Sequence, residues 1–159
     1  MGSKFAERPW LAIPAIEELA KYDQWVCWGN QCADVPMKAP YQPFGAPAIT
    51  TKRSTWAPFS DCFAAVVTGD FAGVGFVLTP DDPFVGIDLD HCIDSDGNLS
   101  AFAEEVIEQL DSYTEISPSG TGLHIFCKAD LGDFSGRKNE QIEVYAHSRY
   151  FTVTADLWT

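Results

Sequence analysis

Near the middle of the chain lies the segment Val85-Gly86-Ile87-Asp88-Leu89-Asp90, in which apolar and acidic residues alternate toward the end. A period of two is typical of a β-strand, because successive side chains point to opposite faces of a sheet. The segment therefore predicts a strand over Phe84–Leu89, with Ile87 and Leu89 in the core and Asp88 and Asp90 together on the other face.

The sequence around this strand predicts a mixture of helices and strands. Helices are expected over residues 14–21, from an N-cap at Ser60 to near Gly69, and from an N-cap at Ser100 through Leu110. Runs of β-branched and aromatic residues predict strands at residues 24–28, 74–78, 113–116, 123–127, 142–145 and 150–154. This mixture predicts an α+β fold with a central, largely antiparallel sheet.

Size and charge limit the possible functions. The chain has 159 residues, of which 46% are hydrophobic, so it can form one domain with a sizeable core. Ten Lys and Arg against 23 Asp and Glu give a net charge of -13. Because phosphate contacts normally come from Lys and Arg, this balance argues against a free-standing nucleic-acid-binding protein. Attraction for an anionic partner must be local or come from outside this chain.

Cysteine usage and hydropathy predict a reduced, non-membrane environment. The five cysteines include no C-x-x-C pair, which argues against structural zinc and favours reduced thiols in the cytoplasm. No apolar run approaches the length of a membrane span, and the first residues show no signal-peptide pattern. We therefore expect a cytoplasmic protein without a membrane partner.

The acidic residues are unevenly distributed. Residues 35–60 contain no Asp or Glu but hold Lys38, Lys52 and Arg53, and residues 116–129 and 144–155 also lack acids. Such stretches in an acidic protein predict a neutral-to-basic surface for an anionic ligand. For the two strand-rich stretches, burial of the strands explains the missing acids equally well.

The pair Asp88 and Asp90 is the first candidate site. Two carboxylates held on one face of a strand repel each other, and a divalent cation between them removes that cost. Hard oxygen ligands suit Mg²⁺ or Mn²⁺. The alternative is a solvated strand end with a chance acidic pair.

A calcium-binding EF-hand loop is a further possibility, because Asp94, Asp96 and Gly97 match part of its pattern. Aligning Gly97 with the glycine of that loop places Cys92 and Ala103 at the first and last ligand positions. Neither residue can supply the required oxygen ligand, and a strand precedes the loop instead of a helix. We therefore predict an ordinary turn.

A loop rich in glycine and hydroxyl groups precedes the predicted strand at residues 123–127, with the sequence Ser117-Pro118-Ser119-Gly120-Thr121-Gly122-Leu123-His124. Backbone N–H groups of such a loop can bind phosphate oxygens, and His124 could donate a hydrogen bond to a phosphate. The loop lacks the Gly-Lys-Ser/Thr of a Walker A motif. The alternative is an ordinary glycine-rich turn followed by a histidine whose hydrogen bonds are made within the protein.

Two charged residues near the end of the chain complete the candidate set. Glu143 stands between apolar β-formers, where a carboxylate is costly unless it is paired or bound to a metal. Arg149 precedes the predicted strand at residues 150–154, from which its guanidinium could hold a triphosphate. A structural ion pair of Glu143 remains the alternative.

In combination these motifs resemble the archaeo-eukaryotic primase superfamily, and most closely the primase-polymerase domain of phage and plasmid replication proteins. The resemblance covers most of the chain from Trp25 onward and is strongest at residues 73–78, 86–92, 113–124, 142–145 and 149–154. It implies a primase-like core with a central, RRM-like sheet flanked by helices. It also implies template-directed synthesis of primers or longer strands from NTPs or dNTPs on single-stranded DNA.

The resemblance assigns roles by position. Asp88, Asp90 and Glu143 would hold two Mg²⁺ or Mn²⁺ ions and, with His124, form the catalytic set. The nucleotide would be bound by Ser117, Ser119, Gly120, His124, Arg149 and Lys38. Lys52 and Arg53 would guide the template.

The chain also departs from the family pattern. Family members often carry a basic residue and a glycine where this chain has Asn30-Gln31-Cys32-Ala33-Asp34. In the family, helical segments and commonly a helicase domain follow the catalytic core. We therefore expect residues 1–159 to be one truncated core that binds template weakly and has a helicase domain as partner in the full-length chain. A metal-dependent nuclease and an inactive nucleotide- or DNA-binding module are the alternatives.

Overall fold

The computed structural model of the chain describes residues 2–30 and 38–159. These residues form two compact units. Unit 1 takes its residues from Met1–Val77 and Arg149–Ala155, and unit 2 comprises Leu78–Ser148 and Asp156–Thr159. The chain thus leaves unit 1 inside one strand and returns to it for another. That residues 1–159 act as one catalytic core stays a prediction.

The described residues contain the following regular elements. The α-helices span Gly2–Glu7 (α1), Pro14–Leu19 (α2), Phe59–Val67 (α3) and Ala101–Leu110 (α4). The β-strands span Trp25–Trp28 (β1), Pro40–Tyr41 (β2), Gly73–Leu78 (β3), Phe84–Leu89 (β4), Tyr113–Ile116 (β5), Leu123–Lys128 (β6), Gly136–Lys138 (β7), Glu143–Tyr145 (β8) and Arg149–Val153 (β9). Among these residues, no helix is long and apolar enough to cross a membrane.

Unit 1 is built around a four-stranded sheet in the order β2-β1-β3-β9. Strand β1 pairs antiparallel with both β2 and β3. An aromatic core forms where Trp25 meets Phe59 and Phe76 edge to face, with ring centroids 4.8 and 5.4 Å apart. Helix α2 contributes the buried Ile16 and Leu19, which are three residues apart and therefore share a helix face.

Unit 2 is built around a five-stranded antiparallel sheet in the order β5-β6-β4-β8-β7. One face of the central strand β4 carries Ile87 and Leu89, which pack with Ile125 of β6 and Ala103 of α4. Helix α4 begins where the Ser100 hydroxyl accepts a hydrogen bond from the Ala103 N–H. The apolar face is therefore covered, and the polar residues of β4 point to the opposite face.

Most predicted elements are confirmed, including strand β4, the core position of Ile87 and Leu89, and the cap at Ser100. The cap at Ser60 is wrong, because the N-cap of α3 is Pro58, two residues earlier, without a side-chain hydrogen bond, and Ser60 lies inside the helix. The α+β class with antiparallel strands is confirmed, but the strands form two sheets instead of one central sheet.

Candidate metal and nucleotide site

A row of five titratable residues crosses the sheet of unit 2, with one residue on each strand. In antiparallel pairs, directly opposed residues share a face. Glu115 of β5 opposes His124 of β6, and His124 opposes Asp88 of β4. Asp88 in turn opposes Glu143 of β8, which opposes Lys138 of β7. The titratable row (Glu115, His124, Asp88, Glu143, Lys138) thus concentrates charge on the face opposite α4.

The acids Asp88, Asp90 and Glu143 form a cluster at the centre of the row. Each offers a carboxylate oxygen, and these oxygens lie within 4.8 Å of one another. Oxygens that bind the same Mg²⁺ lie about 2.1 Å from it and therefore no more than about 4.2 Å from each other. The upper limit of 4.8 Å on the observed spacing exceeds this value by about 0.6 Å.

The Asp88 carboxylate lies in an environment that disfavours its negative charge. Its Oδ1 is buried and has no hydrogen-bond partner among the described residues. Burial, together with repulsion from Asp90 and Glu143, raises the pKa of Asp88 to about 6, although His124 acts in the opposite direction. A buried oxygen without a partner is costly, and a bound cation supplies the missing interaction. The donor set therefore fits a hard divalent cation.

Local backbone geometry places Asp90 beside Asp88. Asp90 lies in the turn directly after β4, not in the strand itself, and His91 follows with a left-handed φ of 51°. The loop before β6 approaches this turn closely at Gly122, where a Cβ atom would lie 2.8 Å from the Leu89 carbonyl oxygen. Only glycine leaves room for this approach. The end of β4 is therefore held against the loop.

Glu143 has a cationic neighbour that the sequence did not predict as part of the site. The Lys138 Nζ lies 2.5 Å from Glu143 Oε1, with the lysine side chain 67% exposed. Attraction to Glu143 raises the pKa of Lys138. The ion pair expected as an alternative role for Glu143 is therefore present, and the same carboxylate belongs to the acidic cluster. An exposed lysine can move away when a cation of higher charge binds.

Replacing Lys138 with methionine is expected to strengthen divalent-cation binding about two- to fivefold, because the ammonium group competes with the metal for Glu143. Titration calorimetry with Mn²⁺ at low ionic strength measures this change. Lys21→Met, which removes the same charge from an exposed position in unit 1, serves as the control. Weaker metal binding by Lys138→Met would show that the lysine supports the site.

His124 lies between two carboxylates in the row. Its Nε2 is 3.7 Å from Asp88 Oδ1, and its Nδ1 is 3.6 Å from Glu115 Oε1. The side chains of His124 and Glu115 are buried, with 6% and 0% exposure. The ring is therefore held beside the acidic cluster, and its catalytic role stays a prediction.

The loop of residues 117–122 forms the turn between β5 and β6. The Ser117 N–H donates to the Gly122 carbonyl oxygen, and the Gly120 N–H donates back to the Ser117 carbonyl oxygen. The hydroxyl groups of Ser117, Ser119 and Thr121 are linked to one another at 3.0 and 3.1 Å. Ser117, Ser119 and Gly120 lie in the same unit as the acidic cluster, and their role in phosphate binding stays a prediction.

The remaining predicted ligands lie in unit 1. The Tyr150 hydroxyl donates a hydrogen bond to the Lys38 carbonyl oxygen, which places Lys38 near the start of β9, where Arg149 is exposed. Lys52 and Arg53 are also exposed, and the Arg53 guanidinium stacks 5.2 Å from the centre of the Trp56 ring. The roles of these four cations stay predictions. The departure from the family pattern at residues 31–34 lies outside the described residues.

The turn after β4 is not an EF-hand loop. Asp94 Oδ1 accepts hydrogen bonds from the N–H groups of Asp96 and Asn98, and these bonds contribute to lowering the pKa of Asp94. The Asp94 carboxylate therefore closes the turn itself, as the sequence predicted. Of the described cysteines, Cys27, Cys62, Cys92 and Cys127 are free thiols, and Cys32 lies outside the described residues.

Sequence reasoning did not identify Lys138 and Glu115 as part of this site. Strand β7 has the sequence Gly-Arg-Lys, which carries no strand signal. Glu115, by contrast, could have been found. Closing the predicted strands 113–116 and 123–127 into a hairpin pairs Ile116 with Leu123 and therefore Glu115 with His124.

Comparison with known proteins provides one informative relative. No protein-family model matches the chain. The protein named DNA primase-polymerase of Nitratiruptor phage NrS-1 is 38% identical over 155 residues, which cover 93% of this chain. The chain spans only 21% of the length of that relative. This chain is thus homologous to a segment of a phage primase-polymerase, and the predicted relationship is confirmed.

Proposed function

We propose that this chain is the catalytic core of a primase-polymerase, which joins nucleotides to a 3′-hydroxyl on a single-stranded DNA template. The observation that carries the proposal is the cluster of Asp88, Asp90 and Glu143 beside His124 on one face of the sheet. The relationship to a phage primase-polymerase supports it independently of the geometry.

The acidic cluster would hold two divalent ions, Mg²⁺ or Mn²⁺, through Asp88, Asp90 and Glu143. When bound, such ions supply an activated 3′-hydroxyl and stabilise the charge that develops on the leaving pyrophosphate. The unpartnered Oδ1 of Asp88 and the spacing of the oxygens support this assignment. The all-oxygen donor set argues for hard cations and not for zinc.

The other residues of the site would bind and orient the nucleotide. His124 would donate a hydrogen bond from Nε2, which lies on the Asp88 side of the ring, to the triphosphate. Ser117, Ser119 and Gly120 would bind phosphate oxygens at the loop before β6. The resemblance also assigns Arg149 and Lys38 to the nucleotide, whose triphosphate carries several negative charges that these cations would bind.

A metal-dependent nuclease would use the same three carboxylates with water as the nucleophile. A nuclease substrate has no β- and γ-phosphates, so a nuclease has less use for His124 and Arg149 as triphosphate ligands. The relative's name also favours synthesis over hydrolysis. A binding module without a metal site would not explain why Asp88 Oδ1 is buried without a hydrogen-bond partner.

The wider context of the core is also part of the proposal. The relative is nearly five times as long as the aligned segment, which leaves room for the helical and helicase parts that the resemblance implies. We propose that the fold is that of the archaeo-eukaryotic primases. The full-length protein would act in the cytoplasm of a phage-infected or plasmid-bearing bacterium.

Incubation with a primer labelled at its 5′ end, a template, dNTPs and Mn²⁺ tests the proposed function. A primase-polymerase lengthens the labelled strand, whereas a nuclease shortens it and a binding module leaves it unchanged. Parallel reactions with NTPs and no primer detect strand initiation. Shortening without elongation would contradict the proposal and favour the nuclease.

Exchange of Lys52 and Arg53 for alanine is expected to weaken binding of single-stranded DNA and to reduce the salt dependence of that binding. Removal of two phosphate contacts lowers the slope of log K against log salt by about 1.4. Fluorescence anisotropy with oligo-dT at several salt concentrations measures both quantities. Lys21→Ala/Arg137→Ala is the matched control, since it removes one lysine and one arginine from other exposed positions. Equal weakening in both double variants would refute a local contact at Lys52 and Arg53.

A further inference from the structure

We propose that Glu115 is a positioning residue that orients the imidazole ring of His124 and fixes an N–H group at Nδ1. In this arrangement Tyr113 holds Glu115 in place. The inference rests on the proposed function, in which His124 acts on the nucleotide triphosphate. It assigns a role to Glu115, the buried residue at one end of the titratable row. Metal binding by Asp88, Asp90 and Glu143 does not explain the presence of this carboxylate.

Strand register brings Glu115 and His124 together. The two residues are directly opposed across β5 and β6, so their side chains leave the same face of the sheet. Glu115 Oε1 faces Nδ1 of the ring at 3.6 Å, while Asp88 Oδ1 faces Nε2 at 3.7 Å. The two nitrogens are thus distinguished by their surroundings, since Nδ1 faces the buried Glu115 and Nε2 faces the acidic cluster.

Tyr113 completes the arrangement from the same strand. It lies two residues before Glu115 and therefore on the same face of β5. Its hydroxyl donates a hydrogen bond of 2.6 Å to Glu115 Oε2. With Oε2 engaged by Tyr113, the other oxygen is directed toward the ring. The order Tyr113–Glu115–His124 runs from the edge strand toward the acidic cluster.

Burial argues for a role beyond stability. Glu115 is fully buried, and a buried carboxylate commonly costs more in desolvation than its partners return. An apolar residue of similar volume at this position would be tolerated on energetic grounds. Retention of a carboxylate beside the ring is explained if the ring must present one defined nitrogen to the substrate.

The chemical consequence concerns the tautomer of His124. A carboxylate beside Nδ1 favours the proton on that nitrogen and fixes the orientation of the ring, as carboxylate partners of histidine do in metal and catalytic sites. The separation of Nδ1 and Glu115 Oε1 is about 0.4 Å beyond the upper end of the range for N–H···O hydrogen bonds. Such contacts in catalytic sites often tighten when substrate binds. Nε2 is then always the nitrogen that faces the nucleotide, and it donates to a phosphate oxygen when both ring nitrogens carry a proton.

Nuclear magnetic resonance of the imidazole nitrogens tests the proposal without any need for activity. The chain has three histidines, and a His124→Gln variant identifies the signal of His124. We expect a proton on Nδ1 in the wild-type protein and its loss from Nδ1 in Glu115→Leu. Glu115→Gln, which keeps an acceptor oxygen, should retain it in part, and Tyr113→Phe should change it less than Glu115→Leu does. Thr114→Val, a buried polar change on the opposite face of β5, is the control.

Steady-state primer extension provides the second readout. Glu115→Leu should lower kcat about 10- to 100-fold, as loss of a carboxylate behind a functional histidine does, with a much smaller effect on the KM for the template. A folded Glu115→Leu protein with an unchanged His124 signal and kcat within about twofold of wild type would overturn the positioning role. If the tautomer depends on Glu115 but the wild-type protein transfers no nucleotides, the positioning stands and the proposed function falls.

Discussion

Replacing Asp88 and Asp90 together with alanine is expected to lower primer extension by about 10³-fold or more while the protein stays folded. The two residues supply two of the three carboxylates that hold the divalent cations, and the remaining Glu143 is already paired with Lys138. Loss of a single preorganised electrostatic partner costs about 10²- to 10³-fold in other enzymes. When residues act as one unit, removal of any one of them abolishes most of the activity that depends on the unit. The double variant should therefore be about as inactive as either single variant.

The measurement is primer extension with Mn²⁺, followed by calorimetric titration of the same proteins with Mn²⁺ and with a nucleotide. Asp96→Ala/Asp133→Ala removes two carboxylates from exposed positions of unit 2 and controls for the change in net charge. It should remain active and bind metal as the wild-type protein does. Extension by the Asp88→Ala/Asp90→Ala protein at a rate near that of wild type would exclude the proposed metal site.

The sequence predicted the centre of the site well because the signal is local. In residues 84–89, a period of two separates the apolar residues from Asp88, and any antiparallel pairing of this strand leaves that separation intact. The cap at Ser100 was predictable for the same reason, since the serine and the N–H group it accepts from are three residues apart. Asp90 was expected to share the strand face of Asp88, but it follows the last strand residue, Leu89, and lies in the turn.

The outer parts of the site depend on pairings between distant residues. Lys138 reaches Glu143 through β7, whose three residues have no strand propensity and take their conformation from the neighbouring β8. The division into two sheets depends on which strands pair, and neither period nor composition fixes that choice. Ser60 was mistaken for a cap because serine is a preferred N-cap residue, whereas the N-cap position is taken by Pro58, which has an extended backbone and no capping side chain.

Three of the 23 acidic residues, Asp88, Asp90 and Glu143, lie close together at the centre of the titratable row. Their negative charges repel one another there. The flanking residues His124 and Lys138 moderate this repulsion from either side. The pKa of Asp88 nevertheless stays raised, mainly because the carboxylate is buried and also because Asp90 and Glu143 repel its charge. The unfavourable environment of ionised Asp88 lowers the free energy of unfolding of the metal-free protein. A bound cation would remove this destabilisation.

Asp88→Asn is therefore expected to stabilise the metal-free protein and to abolish its stabilisation by metal. The pKa of Asp88 is about 6 in the folded protein, whereas the ordinary value for an aspartate, which applies to the unfolded chain, is 3.8. The folded state therefore binds the proton more tightly than the unfolded state. Ionised Asp88 then lowers stability above about pH 6, and the penalty disappears as pH falls through the range from 6 to 4. Allowing for its partial exposure, the penalty amounts to about 1 to 2 kcal/mol near pH 7.5.

Thermal unfolding at pH 7.5 measures both effects. In EDTA, Asp88→Asn should raise Tm by about 2 to 6 °C, and the gain should shrink toward pH 5. In Mn²⁺ at about 100 times its Kd, the wild-type protein should gain about 2.7 kcal/mol and the variant little, so that the order of stability inverts. Asp96→Asn, in the exposed turn after β4, should change neither value. A variant that is less stable than wild type in EDTA would show that the Asp88 carboxylate stabilises the fold, which is incompatible with a cluster that requires a cation to relieve its repulsion.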